Sequence, residues 1–484
     1  MISLPTIVAL LALSTAARAL NPIDVRGQDF IDTVTKNRFV LVGIDYQPGG
    51  QGAYNPTNSQ DPLRNGTVCL RDAALMQSLG INTIRTYNVD PSLNHDDCAS
   101  VFNEAGIYMI VDVNAPLAGE SIDRSNPGSS YTLDYLTRIF GVVEAFKNYP
   151  NTLGFFAANE VINDVPTAKN NPPYMRAVQR DLKDYIAAHS SRPIPVGYSA
   201  ADVREVLQDT WAYLQCAING SSSDTSRADF FGLNSYSWCS GANYQTASYG
   251  ALVSMFGNST IPVFFSEYGC NKPEPRTFDE VLALYGPQMT VLSGGLVYEY
   301  SQEPSNYGLV DLYDNGTVQL RIDYDNLQAQ YNKLNVTLLE TSNATATALS
   351  PPACSSGLIT SSSFSTNFTI PQPPAGAAAL ISSGISNPNN GKIVPVTNTA
   401  VPMAVYASNG GLISGLALKP VNGSNTPNGA NTGGSVSVSS GPSGTATAAA
   451  SATSKGAASD PLMHSSSTNS IAAALAAILT FWML

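Results

Sequence analysis

The stretch LGFFAANE, residues 153–160, is an apolar run that ends in a carboxylate. The stretch IPVFFSEYG, residues 261–269, repeats the pattern and places Glu267 where the first stretch places Glu160. A carboxylate at the end of a buried strand has lost the water that stabilises its charge, so it must be paired, hydrogen-bonded or shifted in pKa. Retaining sugar chemistry requires two such carboxylates facing one another, which makes Glu160 and Glu267 a candidate catalytic pair.

Apolar runs of this kind recur along the chain, with helical patterns between them. They are too continuously apolar for sheets with one wet face and are typical of buried parallel strands. The eight runs are Phe39–Tyr46, Ile81–Tyr87, Ile107–Asn114, Thr152–Glu160, Pro193–Ser199, Asp229–Tyr236, Ile261–Tyr268 and Gly295–Tyr300.

The segments between the runs carry helical signatures. In Cys69–Leu79, apolar residues recur at helical spacing until Gly80 ends the pattern. The other segments with this signature are Tyr131–Tyr149, Pro173–His189, Val203–Ala217, Phe278–Tyr285 and Asn326–Leu334. Eight alternations over about 300 residues predict a (β/α)8 TIM barrel at residues 20–345, with a doubly wound sheet as the alternative.

The pattern changes after the eighth run. Tyr307–Asp323 alternates on both sides of an Asn-Gly pair, which predicts a hairpin. Residues 346–405 are rich in Pro, Ser and short apolar runs, which predicts a small β-rich appendage. Gly, Ser, Thr, Ala and Asn dominate residues 406–456, a composition that cannot bury enough apolar area to fold and that predicts a disordered, O-glycosylated stalk.

Both ends of the chain resemble targeting signals. A short apolar stretch followed by Ala-Arg-Ala predicts a secretory signal peptide at residues 1–19, cut after Ala19. The apolar run Ile471–Leu484 is short against the ~20 residues of a spanning helix. It follows a polar spacer and a small-residue triplet that starts at Gly456. These parts predict a glycosylphosphatidylinositol (GPI) anchor at Gly456 and removal of residues 457–484, with a tail-anchored helix as the alternative.

Composition limits the possible functions. Charged residues are 12% of the chain and the net charge is −12, so a nucleic-acid partner is not expected. None of the three histidines has metal-binding spacing, and no nucleophile elbow or phosphate loop occurs, so no metal or cofactor is expected. Eight sequons fit passage through the secretory route, at Asn65, Asn219, Asn258, Asn315, Asn335, Asn343, Asn367 and Asn422.

Five stretches narrow the interpretation to one family. They are GIDYQPGG at residues 43–50, IRTY at 84–87, FFAANE at 155–160, NSYSWC at 234–239 and FFSEYGC at 264–270. Asn-Glu after the fourth run and Glu after the seventh resemble the clan of retaining (β/α)8 glycosidases. Together the stretches resemble the fungal β-1,3-glucanosyltransferases of glycoside hydrolase family seventy-two, over residues 21–340.

This resemblance implies a role for each of several residues. Glu160 would be the acid/base and Glu267 the nucleophile, while Asn159 would bind the 2-hydroxyl of the sugar. Tyr236 would donate to Glu267, and a hydrogen bond to the charged form lowers a carboxylate pKa. Further subsite residues implied are Gln47, Tyr87, Asp112, Asn114, Asp202, Arg204, Asn234, Tyr298 and Tyr300. Tyrosines at strand ends belong to the core more often than they stack on sugars. Tyr268, Tyr298 and Tyr300 are nevertheless candidate acceptor platforms, that is, rings on which the acceptor sugar stacks.

Six cysteines in an oxidising compartment fit three disulfides, with fifteen pairings possible in principle. Cys239 and Cys270 follow the sixth and seventh runs on neighbouring loops, and Cys69 and Cys98 lie at neighbouring helices of a barrel. Elimination then pairs Cys216 with Cys354, and the family pattern agrees with all three pairs. A cysteine-rich carbohydrate-binding module, which some family members carry, is not expected because Cys354 is the only cysteine after residue 340.

The sequence is therefore compatible with three functions. The leading hypothesis is a monomeric, GPI-anchored enzyme on the outer face of the plasma membrane and in the cell wall. It would cut a β-1,3-glucan donor and transfer the new reducing end to the non-reducing end of an acceptor glucan. An endo-β-1,3-glucanase would use the same glutamates but pass the glycosyl group to water. An inactive glucan-binding wall mannoprotein is the structural alternative, disfavoured by the intact Asn159, Glu160 and Glu267.

Overall fold

The computed structural model describes residues 19–221, 223–239 and 241–427, together with the backbone of Ser437–Val438. The signal peptide before Ala19, the attachment residue Gly456 and the removed segment 457–484 lie outside the described residues. So does most of the predicted stalk beyond residue 427. Within the described part of the chain, no helix is long and apolar enough to cross a membrane.

Eight parallel strands close into a barrel in chain order, so the predicted (β/α)8 barrel is confirmed. Each strand pairs with the next, and the last pairs with the first. Their bounds are β1 Leu41–Asp45, β2 Thr83–Thr86, β3 Tyr108–Asp112, β4 Thr152–Asn159, β5 Val196–Ala201, β6 Phe230–Asn234, β7 Val263–Tyr268 and β8 Gly294–Val297.

A helix follows every barrel strand. The barrel helices are α1 Gly66–Leu79, α2 Asp96–Glu104, α3 Leu133–Phe146, α4 Pro172–His189, α5 Arg204–Gln215, α6 Tyr249–Phe256, α7 Glu280–Leu284 and α8 Ile322–Tyr331. Bounds were predicted for six of them, α2 was placed only through Cys98, and no bounds were predicted for α6. Gly80 ends α1 as predicted, because its φ of 84° is a left-handed conformation that favours glycine.

Shorter elements complete the described structure. The remaining helices are Pro127–Ser130, Val165–Asn170, Val336–Glu340, Ala344–Thr347 and Ala377–Ser383, and the 3-10 turns are Gln51–Ala53, Pro56–Asn58, Ile218–Gly220, Pro287–Met289 and Ser356–Leu358. The strands outside the barrel are Ile23–Arg26, Asp29–Asp32, Arg38–Phe39, Val310–Leu312, Val318–Leu320, Val405–Tyr406, Leu412–Ser414 and Ser437–Val438. Val310–Leu312 and Val318–Leu320 form the predicted hairpin between β8 and α8.

Phenylalanine side chains fill the interior of the barrel. Phe156 lies with its ring centroid 5.2 Å from that of Phe230 and 6.0 Å from that of Phe264. Phe30, from the three-stranded N-terminal sheet, adds a fourth ring 5.8 Å from Phe230. These rings leave no room for side chains on the neighbouring strand, since a Cβ added to Gly197 would lie 2.2 Å from the Phe230 ring. The interior is a packed core on which the site rests.

Residues 351–427 form a C-terminal strap along the outside of the barrel. The strap starts at α5, where Ala217 N donates to Pro352 O and Cys354 N donates to Ala217 O, at 2.8 and 2.9 Å. Asp209 of α5 then accepts hydrogen bonds from the backbone amides of Thr360 and Ser361, each at 2.8 Å. The strap therefore begins on the outer face of the fifth barrel helix.

The strap continues past the other helices against the order of the chain. At α4, Arg180 donates to Pro371 O at 2.9 Å. At α2, Asp96 accepts from Lys392 N at 2.8 Å. At α1, Gln77 accepts from Lys419 N at 2.9 Å and donates to Lys419 O at 2.7 Å. Its backbone groups are satisfied by barrel side chains at each step.

Two predictions for this region are wrong. Residues 346–405 are not β-rich, because their backbone amides bond to barrel side chains such as Asp209 and Asp96 rather than to neighbouring strands. Residues 406–427 are not a disordered stalk, because Leu412–Ser414 pairs with Val405–Tyr406. Asn425 is also fully buried and donates to Ile81 O at 2.9 Å. Hydrogen bonds from polar side chains such as Asn425 therefore attach this segment to the barrel, although it has few apolar side chains to bury.

Three disulfides link the elements in the predicted pairing. Cys69–Cys98 joins α1 to α2, and Cys216–Cys354 joins the end of α5 to the strap. Cys239–Cys270 joins the loop after β6 to the loop after β7. No cysteine among the described residues is free.

Candidate active site

Glu160 and Glu267 lie at the carboxyl end of the barrel. Glu160 directly follows β4, and Glu267 is the penultimate residue of β7. Two strands, β5 and β6, lie between β4 and β7 around the barrel, and the last residue of β6, Asn234, is the register partner of Glu267. Active sites of (β/α)8 barrels lie at this end of the strands, so the fold brings the two predicted carboxylates to one face.

Three groups hold the Glu267 carboxylate. Tyr236 donates its hydroxyl to Oε2 at 2.8 Å, and Tyr87 donates its hydroxyl to Oε1 at 2.9 Å. Nη1 of Arg85 lies 3.4 Å from Oε1. Glu267 is itself only 9% exposed. These donors fix both oxygens of the carboxylate from different strands.

Opposing effects leave the pKa of Glu267 raised to about 7. Burial raises it, and the Arg85 charge opposes that rise. The nearby Glu160 carboxylate raises the pKa further, while the hydroxyls of Tyr236 and Tyr87 lower it. The arrangement thus supplies a cation and two donors to a carboxylate that has lost its water, as the sequence argument requires.

Arg85 organises the floor of the site. Its guanidinium is fully buried and forms a two-pronged ion pair with Asp112, at 3.0 Å from Nε and 2.8 Å from Nη2. It lies over the rings of Tyr87 and Phe156, with centroid distances of 4.2 and 4.6 Å. A planar guanidinium can combine stacking with directed hydrogen bonds. Arg85 therefore connects the aromatic core to Glu267.

Glu160 is held by backbone conformation and by one side chain. Its φ of 49° lies in the left-handed region, which is uncommon for a non-glycine residue. Its backbone N donates to Ser199 O at 2.8 Å. Nδ2 of Asn234 donates to Glu160 Oε1 at 2.8 Å. The side chain is half-buried, so solvent reaches this carboxyl as it would have to for proton transfer.

Oδ1 of Asn159 is the centre of a hydrogen-bond network beside Glu160. It accepts from Arg85 Nη2 at 2.9 Å, from Ser199 Oγ at 2.7 Å and from Asn234 Nδ2 at 3.1 Å. Three donors on one oxygen assign that atom as the carbonyl. The Nδ2 amide of Asn159 remains as a donor for a ligand.

Four tyrosines form an aromatic wall around Glu267, made of Tyr87, Tyr236, Tyr298 and Tyr307. The rings meet edge to face, with centroid distances of 6.5 Å for Tyr87–Tyr298, 6.3 Å for Tyr236–Tyr298 and 5.3 Å for Tyr298–Tyr307. All four side chains are half-buried, so each keeps part of its ring accessible. Accessible aromatic faces beside paired carboxylates suit stacking on sugar rings.

Comparison with known proteins agrees with this geometry. The family model described as Glucanosyltransferase matches residues 12–335. The chain belongs to this family. The 1,3-beta-glucanosyltransferase gel2 of Aspergillus fumigatus is 53% identical over 440 residues, which cover 90% of this chain and 91% of gel2. The probable 1,3-beta-glucanosyltransferase GAS3 of Saccharomyces cerevisiae is 47% identical over 412 residues, covering 81% of this chain and 78% of GAS3.

A solved structure of the same family shows the likeness in three dimensions. A mutant of Saccharomyces cerevisiae Gas2p, in complex with laminaritetraose and laminaripentaose, matches with a TM-score of 0.64 and 34% identity. The match covers 73% of this chain and 75% of that chain. The predicted family membership is confirmed.

Several predicted subsite residues of this glucanosyltransferase lie at the same end of the barrel. Gln47 follows β1, where its Oε1 accepts from Asn88 N at 3.1 Å while its buried Nε2 has no partner among the described residues. Asp202 follows β5 and accepts from Ser235 Oγ at 2.7 Å and from Arg204 Nη2 at 2.9 Å. Arg204 is exposed at the start of α5.

Two other predicted residues hold protein groups. Both carboxylate oxygens of Asp112 face Arg85. Asn114 donates to Ala157 O at 2.7 Å and accepts from the Tyr135 hydroxyl at 2.9 Å, so its amide joins β4 to α3. Their contacts position the floor and side of the site.

The assignment of Tyr300 to a subsite is wrong. Its side chain is completely buried, and its hydroxyl donates to Asp72 at 2.6 Å, beneath Tyr46. Tyr268 is likewise only 1% exposed and shares a hydrogen bond with Tyr331. Neither tyrosine can stack on a sugar, so of the three candidate acceptor platforms Tyr298 alone remains.

Sequence reasoning missed three residues of the site. Arg85 lies within the quoted stretch IRTY, and a charged residue inside an apolar strand was the signal that could have found it. Tyr307 opened the predicted hairpin, and nothing in the local pattern links it to Glu267. Asp45 lies within the quoted stretch GIDYQPGG and closes β1, so its strand-end position was a usable signal. Among the described residues, no cluster of histidine, cysteine or acidic residues could hold a metal ion.

Proposed function

We propose that the chain is a cell-wall 1,3-β-glucanosyltransferase that acts by retaining double displacement, with Glu267 as nucleophile and Glu160 as acid/base. The observation that carries the proposal is the environment of the two glutamates. Glu267 has both oxygens held by tyrosine hydroxyls beside Arg85, which suits an ionised nucleophile. Glu160 is half-buried and accepts a hydrogen bond from Asn234, and its partial exposure suits a group that exchanges protons.

The reaction follows from these positions. In the first step, Glu267 attacks the anomeric carbon while Glu160 gives its proton to the departing glycosidic oxygen. In the second step, Glu160 takes a proton from the acceptor hydroxyl, whose oxygen displaces Glu267 and restores the β configuration. The Nδ2 donor of Asn159 would bind the 2-hydroxyl, a contact that strengthens in the transition state of retaining glycosidases.

Transfer and hydrolysis share this intermediate and differ in the attacking oxygen. Transfer wins when acceptor subsites hold a sugar hydroxyl in line, because well-oriented groups reach effective molarities of about 10⁵–10⁸ M. The accessible rings of Tyr298 and Tyr307 are the platforms that we assign to the acceptor. The names of the relatives and the laminari-oligosaccharides bound to Gas2p support β-1,3-glucan as donor and acceptor.

Product analysis tests this function. End-reduced β-1,3-linked oligosaccharides should yield products longer than the starting chain. Transfer joins a cleaved donor chain to an intact acceptor, whereas hydrolysis can only shorten chains. Glu160→Gln, prepared in parallel, controls for contaminating enzymes. Only shorter products at every donor concentration would make the protein an endo-β-1,3-glucanase, and no products from the folded wild type would make it an inactive binding protein.

We also propose a mature, anchored glycoprotein on the outer face of the plasma membrane and in the cell wall. Signal-peptide cleavage after Ala19 is supported by Leu20, which is buried and whose backbone N–H donates to Asn103 Oδ1 at 3.0 Å, so that residue 20 belongs to the folded part of the chain. All eight sequon asparagines are exposed, as glycosylation requires. Truncation after residue 455 should release active, monomeric enzyme into the medium. Retention of Leu484 in the mature membrane-bound protein would overturn the GPI anchor.

A further inference from the structure

Arg276 is a buried cation in the loop between β7 and α7. Its neighbours in the chain, Pro275 and Thr277, are exposed, whereas Arg276 is only 3% exposed. Its Nε donates to Oδ1 of Asp323 at 2.8 Å, and its backbone N donates to the same oxygen at 3.1 Å. Asp323 lies in the first turn of α8 and is also buried. This ion pair occupies Nε and leaves both terminal nitrogens of the guanidinium for other partners.

Both terminal nitrogens of Arg276 donate to backbone carbonyls at the site. Nη1 donates to Tyr298 O at 2.7 Å and to Gly269 O at 3.3 Å, and Nη2 donates to Tyr307 O. Tyr298 and Tyr307 are the two rings that we assign to the acceptor, and Gly269 lies two residues after Glu267. One guanidinium therefore joins the backbone of both acceptor platforms to the strand end that carries the candidate nucleophile.

The loop that carries Arg276 also holds the segment around Tyr307. The Cζ atom of Arg276 lies 5.8 Å from the centroid of the Tyr307 ring, within the range of a cation–π contact. Asn271, from the same loop, donates its Nδ2 to Ser305 O at 3.0 Å and to Asn306 O at 3.2 Å. The β7–α7 loop thus contacts both the ring of Tyr307 and the backbone that leads into it.

The position of these two rings matters more for transfer than for hydrolysis. An acceptor hydroxyl competes with water for the glycosyl-enzyme only when it is held in line, and a misplacement of about 1 Å can cost roughly a hundredfold in rate. The rings of Tyr298 and Tyr307 contact each other, with centroids 5.3 Å apart, so a shift of either backbone disturbs the pair. Water needs no ring to stack on, so hydrolysis is less sensitive to such a shift.

We propose that Arg276 is a positioning residue that favours transfer over hydrolysis by fixing the acceptor platforms Tyr298 and Tyr307 through their backbone carbonyls. Asp323 supports this role, because it neutralises the buried charge of Arg276 and fixes the direction of the guanidinium through Nε. The proposal rests on the proposed transferase function and on the assignment of these two rings to the acceptor.

Arg276→Lys tests this role, because lysine keeps the charge but lacks the planar fork that reaches several carbonyls at once. Arg38→Lys is the matched control. Arg38 is 6% exposed, pairs through Nε with Asp29 at 2.8 Å, and donates Nη2 to Thr290 O and Leu292 O at 2.8 and 2.9 Å. Arg38 precedes β1 and Leu292 precedes β8, so this similar ion pair lies at the amino end of the barrel, opposite the site.

The ratio of transfer to hydrolysis products from end-reduced β-1,3-linked oligosaccharides is the measurement. We expect Arg276→Lys to lower this ratio about tenfold, the effect of one lost hydrogen bond, while total cleavage falls less. Arg38→Lys should show a comparable fall in Tm with the wild-type ratio. An unchanged ratio in folded Arg276→Lys, or an equal fall of the ratio in Arg38→Lys, would overturn the proposal.

Two further variants test the route of the effect. Asp323→Asn keeps the shape of the partner but removes its charge, so it should lower the ratio in the same direction even if Arg276→Lys fails to fold. In a Tyr307→Ala background, Arg276→Lys should have a smaller effect on the ratio than in wild type, because one of the two rings through which it acts is gone. An unchanged ratio in Asp323→Asn, or full additivity of the Tyr307 and Arg276 substitutions, would overturn the proposal.

Binding to the inactive Glu160→Gln variant provides a readout that does not depend on turnover. In calorimetric titrations with a β-1,3-linked oligosaccharide long enough to span donor and acceptor subsites, adding Arg276→Lys should weaken binding about tenfold, and adding Arg38→Lys should not. Unchanged affinity would overturn the Arg276 proposal even if the wild type transfers. A wild type that yields only shorter chains would instead overturn the transferase function, while weaker binding in Arg276→Lys would still support the positioning of the rings by Arg276.

Discussion

The Tyr236 hydroxyl donates to Oε2 of Glu267 at 2.8 Å, from a residue that lies just beyond the neighbouring strand β6. The bond stabilises the ionised carboxylate against the effect of burial. It also places an aromatic ring edge-on to Tyr298, within the aromatic wall. One side chain thus both favours the ionised form of the candidate nucleophile and shapes its surroundings.

Tyr236→Phe should therefore change the pH profile. Loss of a donor to the charged form raises the pKa of Glu267, so a larger fraction is protonated at any given acid pH and the acid limb of kcat/KM moves to higher pH. A hydrogen bond to a charged group is worth about 1.5–3 kcal/mol, or roughly tenfold to a hundredfold in rate. Tyr313→Phe, in an exposed turn, is the matched control. An unmoved acid limb would contradict the role of Tyr236.

Glu160→Gln and Glu267→Gln should each remove nearly all turnover while the protein stays folded. Neither proton transfer nor covalent attack survives the change, and acid/base catalysis alone contributes about 10²–10⁴-fold. Glu340→Gln, an exposed glutamate outside the site, should retain full activity. A mechanism-based fluorosugar should label Glu267, as read by peptide mass. Activity above about a tenth of wild type in either variant would refute its assignment.

Loss of Cys239–Cys270 should reduce activity as well as stability, because this bridge joins the loops that follow Tyr236 and Glu267. Replacing both cysteines with serine should cost about 2–5 kcal/mol of stability. The Cys69–Cys98 bridge spans a similar length of chain, with a sequence separation of 29 against 31, and is the matched control. We expect a comparable fall in Tm but a smaller fall in kcat/KM for that control. Equal losses of kcat/KM would contradict a specific role at the cleft.

Asp209→Ala should loosen the C-terminal strap. Asp209 is 1% exposed and accepts from Thr360 N, Thr360 Oγ1 and Ser361 N. Its loss should destabilise the protein by about 1–3 kcal/mol, because buried donors lose their acceptor. Limited proteolysis should then cut within residues 355–400 faster than in wild type or in Asp314→Ala, whose aspartate is exposed. Unchanged cleavage would mean that Asp209 does not hold the strap.

Substitutions of Asn65 can separate the effect of its glycan from the effect of its helix cap. It is a sequon asparagine, and its Oδ1 caps α1 by accepting from Thr67 N and Val68 N at 3.1 and 3.3 Å. Asn65→Asp should remove the glycan but keep the cap, whereas Asn65→Ala should lose both and cost a further ~0.5–2 kcal/mol. Thermal unfolding of the two variants, with glycan loss checked by mass, measures the difference. Identical melting temperatures would show that the cap contributes nothing measurable.

The barrel was predictable because its strands are continuously apolar and its longer helices have clear periodicity. The position of Glu160 and Glu267 at strand ends followed from the same pattern. Tyr300 was misplaced because β8 ends at Val297, and once the chain has left the strand, alternation no longer predicts where a side chain points. Arg85 acts through partners on other strands, and those contacts exist only after the barrel has closed.

The strap was not predictable for a different reason. Its residues have neither helical nor strand periodicity, and its hydrogen bonds run to barrel side chains such as Asp209, Asp96 and Gln77. Composition alone suggested disorder because few apolar residues are available for burial. An irregular segment can still be fixed when the surface beneath it supplies acceptors and donors at the right intervals.

The strap also bears on how this enzyme must be produced. The match to the family model stops at residue 335, and a recombinant boundary placed near there would leave the outer faces of four barrel helices uncovered. It would also leave Cys216 without Cys354, as a reactive thiol in an oxidising secretory pathway. The smallest unit that should express as a stable, homogeneous catalyst therefore ends after Asn425, the last strap residue seen to bond to the barrel.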